Sequence, residues 1–132
     1  MMSFDESNWP VVVMTSAGRT NVEDTQLYTS TMERILARQQ PYAMITLPQR
    51  DEVQADQDAS NHFMKWLKEN KPRISQYCVG MVAVIESDEY YAKHAQTLTQ
   101  QGPYIYGCPF VVVRERAEAD KWVQEQLAKA TS

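Results

Sequence analysis

Four short apolar runs punctuate the chain at Val11–Met14, Tyr42–Leu47, Val79–Ile85 and Phe110–Val113, and each is followed by a stretch whose apolar residues recur at helical spacing. A continuous run rich in β-branched residues, with no polar alternation, reads as a strand buried on both faces, as in a parallel sheet. Strands alternating strictly with helices need crossover connections of one hand. The expected fold is therefore α/β: a mainly parallel four-stranded sheet with helices packed on its faces.

The punctuation between these runs places the helices. Asn21 with Asp24 three residues on forms a helix start, and Tyr28, Met32, Ile35 and Leu36 supply an apolar stripe, which predicts a helix from about Val22 to Gln39 stopped by Pro41. A second helix is expected within Ala55–Asn70, with Ala59, Phe63 and Leu67 on one face, Trp66 off the stripe, and Pro72 setting RISQYC apart as a separate turn or a kinked continuation. Glu86, Ser87 and Asp88 supply the cap and first-turn acids of a third, which should turn Tyr91, Ala95 and Leu98 inward and stop near Gly102-Pro103. Ala119, Trp122, Val123 and Leu127 mark a fourth, from about Glu115 to Lys129. With 132 residues there is room for one domain, expected over 9–130, behind a tail at 1–8.

Charge and composition narrow the partners. A formal net charge of -4 provides no general positive field, which disfavours nucleic acid and anionic membrane. No segment reaches the roughly 20 consecutive apolar residues of a membrane helix, and the opening MMSFDESNWP lacks the basic-then-apolar order of a secretory signal. Cys78 and Cys108 lie in apolar contexts that favour burial as free thiols, in keeping with a cytoplasmic protein.

The fold directs attention to the carboxyl ends of the strands, where an open parallel sheet binds ligands at the point of order reversal. With the strands ordered 2-1-3-4, that point lies between the first and third. The facing residues are then Thr15, Ser16, Gly18 and Arg19 on one side and Glu86, Ser87 and Asp88 on the other. No nucleotide motif accompanies them, because the turn has one glycine and no Gly-Lys-Ser/Thr run. A phospho-acceptor receiver domain would need acidic residues where Thr15 and Ser16 stand. His62, His94 and the two cysteines fit no zinc spacing, so neither metal nor other cofactor is expected, and no catalytic constellation is found. The more unusual feature is aromatic: Tyr90 and Tyr91, with Tyr104, Ile105 and Tyr106 between glycine and proline breakers, make a candidate interface.

The segments FDESNWPVVVM, ILARQQPYAMITL, FMKWLKENKPRISQYCVGMVAVI and AEADKWV resemble the small bacterial STAS/SpoIIAA-like domains, particularly a stand-alone branch, over Phe4 to Val123. The better-known branch antagonises anti-sigma factors and is switched by phosphorylation of a serine or threonine. The matching segment here, PQRDEVQADQDAS, lacks that branch's Asp-Ser-Ser/Thr-Gly-like element. The resemblance thus implies a non-enzymatic protein-interaction or regulatory module, with another protein or a second copy as partner. The alternative it leaves open is a small-molecule or lipid-binding domain with a pocket at the carboxyl ends of strands one and three.

Overall fold

The computed structural model describes residues 2–16, 21–48 and 57–131. In chain order the elements are β1 (Met2–Asn8), β2 (Val11–Ser16), α1 (Val22–Leu36), β3 (Tyr42–Pro48), α2 (Gln57–Tyr77), β4 (Cys78–Val84), α3 (Asp88–Tyr106), β5 (Phe110–Val113) and α4 (Arg116–Thr131). The α/β class expected from the strand and helix pattern is what forms, but the sheet has five strands and is mixed. β1 runs antiparallel to β2, and β2 to β5 are parallel to one another.

Two features of the sheet depart from expectation. Residues 2–8 form a strand where a tail was expected. Its inward face is Met2, Phe4 and Glu6, so an acidic residue interrupts the alternation that would have marked a strand. Glu6 is held by Arg34 of α1 at 2.6 Å, with Arg38 3.6 Å away. The second departure is the strand order. It is sequential, β1-β2-β3-β4-β5, so β3 lies between the two strands that the 2-1-3-4 arrangement had placed side by side. Sequential order with crossovers of one hand delivers every crossover helix to the same face, leaving no point of order reversal.

The packing reflects that topology. Val12, Met44, Met81, Ala83 and Phe110 face α1, α2 and α3, where they meet Tyr28, Met32, Ile35, Leu67 and Ile74. Val11, Val13, Ala43, Ile45, Val82 and Val84 point the other way, onto Ala119, Val123 and Leu127 of α4. Helices on both faces explain why the parallel strands are largely apolar, with Thr15, Ser16 and Thr46 near their carboxyl ends.

Local chemistry sets the helix ends. Asn21 accepts from the Asp24 N–H while Asp24 accepts from the Asn21 N–H, a reciprocal cap that starts α1 where the sequence predicts it. α1 ends at Leu36, a few residues short of Gln39, which takes φ 53°. Pro72 and Pro103 both lie inside helices rather than ending them. Buried Ile74 holds the last turns of α2, and Ile105 and Tyr106 dock the end of α3 against the core. Gly107, at φ 74°, supplies the left-handed residue that finally stops α3.

Gly102 is where α3 lies on β5. A Cβ there would fall 2.5 Å from the Phe110 ring, closer than the packed ring allows. Gly102→Ala should gain up to about 1 kcal/mol in helix propensity and lose about 1–3 kcal/mol to overpacking. We expect a net loss of stability, read as a lower urea midpoint at unchanged m-value. A higher midpoint would show that α3 can lift off β5 at no cost.

Candidate functional site

Of the residues expected to bind a ligand, the described ones end β2 or follow β4, which are not neighbours in the sheet. Thr15 and Ser16 end β2 half-buried, in register with Leu47 and Pro48 of β3. Gly18 and Arg19 lie outside the described residues. Glu86, Ser87 and Asp88 follow β4, and with β3 between β2 and β4 the two groups stand two strand spacings apart, about 10 Å.

The second group has structural partners. Ser87 caps α3, its Oγ accepting from the Tyr90 N–H at 3.2 Å. The Asp88 carboxylate pairs with the Arg114 guanidinium. Arg114 also donates to the main-chain carbonyls of Ile85 at 3.0 Å and Glu86 at 3.1 Å, and lies 4.5 Å from the centre of the Tyr91 ring. One side chain thereby ties the end of β5 to the β4–α3 connection. Sequence reasoning missed Arg114, and the signal was a single basic residue directly behind an apolar strand. Its donors are directed at protein groups, and Asp88 is almost fully exposed, so the ion pair itself adds little stability.

A second cluster lies under the helices. Cys78 and Cys108 are free and buried. A hydrogen bond with Cys78, together with burial, pushes the Cys108 thiol far above its usual range. The thiolate is the reactive form, so Cys108 is a poor nucleophile. Nearby, the Tyr28 hydroxyl is buried without a hydrogen-bond partner, and the Tyr42 hydroxyl is buried beside Cys78. Burial raises both phenols well above the ordinary value of 10.0 and brings Tyr106 to about 12. Among the described residues, no His, Cys, Asp and Glu side chains gather into a group able to hold a metal ion. No helix among them is long and apolar enough to cross a membrane.

The candidate interface separates into an inner and an outer part. Tyr90, Ile105 and Tyr106 pack against the core, Tyr106 stacking on Phe110 with centroids 5.7 Å apart and Tyr90 lying 4.4 Å from the His94 ring. Tyr91 and Tyr104 are exposed, Tyr104 at 77%. The Lys71 ammonium of α2 sits 4.2 Å from the centre of the Tyr104 ring and holds it in place. Trp66, expected off the stripe, is buried, and its Nε1 donates to Glu33 at 3.2 Å.

In α3 as a whole only Ala95 and Gly102 are buried, yet from Ala95 to Tyr106 the helix has no charged side chain. The exposed faces of α2 and α4 are, by contrast, studded with charge, Lys65, Lys68 and Glu69 on one and Glu118, Lys121 and Glu125 on the other. Two shallow clefts lie away from the strand-end residues. One, of about 380 Å³, runs along α3 beside Tyr91, Ala95 and Thr99. The other, of about 460 Å³, lies between Trp9, Gln40 and Leu127 at the opposite end of the sheet. No family model, curated protein or solved structure matches the chain.

Two measurements test the buried cluster. In the native protein, neither thiol should react with a polar alkylating reagent until the chain unfolds, and rapid labelling of both would contradict their placement. Because folding raises the Tyr28, Tyr42 and Tyr106 pKa values, their contribution to stability is full below about pH 10 and is lost as the unfolded chain ionises above it. Tyr28→Phe removes a hydroxyl that has no partner. It should leave stability unchanged or raise it by about 1 kcal/mol, and flatten the alkaline decline.

Proposed function

We propose that the protein is a non-enzymatic interaction module, of the STAS-like kind its sequence resembles, and that it meets its partner through α3. The observation that carries this reading is the exposed surface of α3 between Gln96 and Tyr104, which has no charge and ends in a tyrosine exposed at 77%. Solvated helix faces are normally charged, whereas the centres of protein interfaces are depleted in charge and enriched in tyrosine. Tyr104 has the properties of an anchor: a large ring, few rotatable bonds, and Lys71 holding its orientation.

The geometry separates the roles of neighbouring tyrosines. Tyr104→Ser should leave the melting temperature nearly unchanged, while Tyr106→Ser, which removes a ring stacked on Phe110, should cost about 2 kcal/mol or more. Equal destabilisation by both would mean that Tyr104 also supports the core. A photo-crosslinking amino acid at position 104 should capture protein partners in the native cell, while the same group at Glu125 on α4 should capture few. Equal capture at both positions, or none, would refute the proposal.

A further inference from the structure

We infer that the chain joins a second copy of itself edge to edge through β5, beside the flank of α3 that bears Ala92, Gln96 and Thr99. This goes beyond the interaction reading above, whose anchor Tyr104 lies on the other side of the helix.

The outer edge of β5 is open. The Met81 N–H donates to the Pro109 carbonyl and the Ile85 N–H to the Val113 carbonyl, both at 2.8 Å. Backbone groups alternate in direction along a strand. Those bonds therefore direct Val111 toward β4 as well, and turn the N–H and C=O groups of Phe110 and Val112 away from it. Among the described residues β5 pairs with β4 alone, so these four groups have no strand partner. Protein edges are normally protected by charge, proline or a bulge. β1, at the other edge, has Asp5, Glu6 and an irregular register between Asp5 and Asn8. β5 is Phe-Val-Val-Val, with neither charge nor bulge between Pro109 and Arg114.

The spacing of the outward groups favours self-pairing. In an antiparallel ladder, residues that exchange both hydrogen bonds sit opposite each other. If Phe110 faces Val112 of the partner subunit, Val112 faces Phe110 of the partner subunit by the same two-fold. All four outward groups on each chain are then satisfied with none left over. The axis passes beside Val111, whose side chain meets its own counterpart. Such an isologous contact closes at two copies and joins the two sheets into one.

The flank beside this edge is suited to the same contact. Tyr104 meets Lys71 of α2, so that side of α3 faces the next helix. Tyr91 meets Arg114, which comes directly after β5, so the side bearing Tyr91 faces the sheet edge. Ala92, Ala95, Gln96, Thr99 and Gln100 share that side with it and line the shallow cleft. They are small or uncharged, allowing another helix to approach closely. A four-residue ladder alone falls short of the roughly 800 Å² per partner of a stable interface, so the proposed contact extends onto these turns of α3.

Sedimentation equilibrium of the purified chain at tens of micromolar should give a dimer. Val112→Pro removes an outward N–H and no bond to β4, so it should yield a folded monomer. Val111→Cys tests the register independently of folding effects elsewhere. Cα atoms of such a directly opposed pair lie about 4.5 Å apart, within disulfide range, whereas those of Val113 would lie about 14 Å apart. Under mild oxidation Val111→Cys should form a covalent dimer at least tenfold faster than Val113→Cys. A monomeric parent, or equal rates for the two variants, overturns the inference. A monomeric parent that still crosslinks from position 104 rejects the second copy and leaves the interaction reading intact. A Val111-linked dimer without cellular crosslinks from position 104 does the reverse.

Discussion

The burial of β3 and β4 on both faces is the constraint on which the rest of the molecule depends. Tyr42, Ala43, Met44, Ile45 and Val82 have no exposed surface, and Met81, Ala83 and Val84 have almost none. Strands of this kind need a helical layer on each side. Sequential order sends α1, α2 and α3 to one face, so among the described residues the other is closed by α4 alone. Close approach makes that single helix sufficient. Gly80 lets the Trp122 ring come so near that a Cβ would meet it at 2.6 Å, and Ala119 leaves no exposed surface.

The same arrangement sets the character of the two edges. β1 is fastened to the body by side chains rather than by an apolar run. Glu6 takes both oxygens to Arg34, and Phe4 packs 6.0 Å from Tyr28, which in turn meets Phe63 at 4.8 Å and Trp66 at 5.8 Å. Arg38 lies over Trp9 at 4.1 Å, and Trp9 donates to Gln40, so the turn after β1 is also held. β5 is held differently, by Arg114 behind it and by Gly102 and Tyr106 above Phe110. Its outward backbone is left open, while β1 is blunted by charge and irregular register.

This architecture gives the sheet no point at which successive crossovers leave to opposite faces, because α1, α2 and α3 all lie on one face. Thr15 and Ser16 are thus separated from Glu86, Ser87 and Asp88, and the last two have capping and ion-pairing work to do. The surface that departs from ordinary solvated character is instead lateral, along α3 and beside β5.

The sequence by itself determined the α/β class, the apolar runs that form β2, β3, β4 and β5, the reciprocal cap of α1 and the burial of both cysteines, because each rests on periodicity or short-range chemistry. Runs such as VVVM and VGMVAVI have only one environment that satisfies them on both faces. Tertiary structure decided the rest. β1 is held by its pairing with β2, by Phe4 against Tyr28 and by Glu6 on Arg34, contacts between residues apart in the chain that no local pattern announces. Pro72 and Pro103 remain within helices because buried residues beyond them hold the chain in place, overriding a local preference to stop. Strand order leaves no mark in the spacing of apolar residues, since any order buries the same runs. Which side chains of α3 face the core, the neighbouring helix or the open edge was therefore fixed only when the helix was laid across β5.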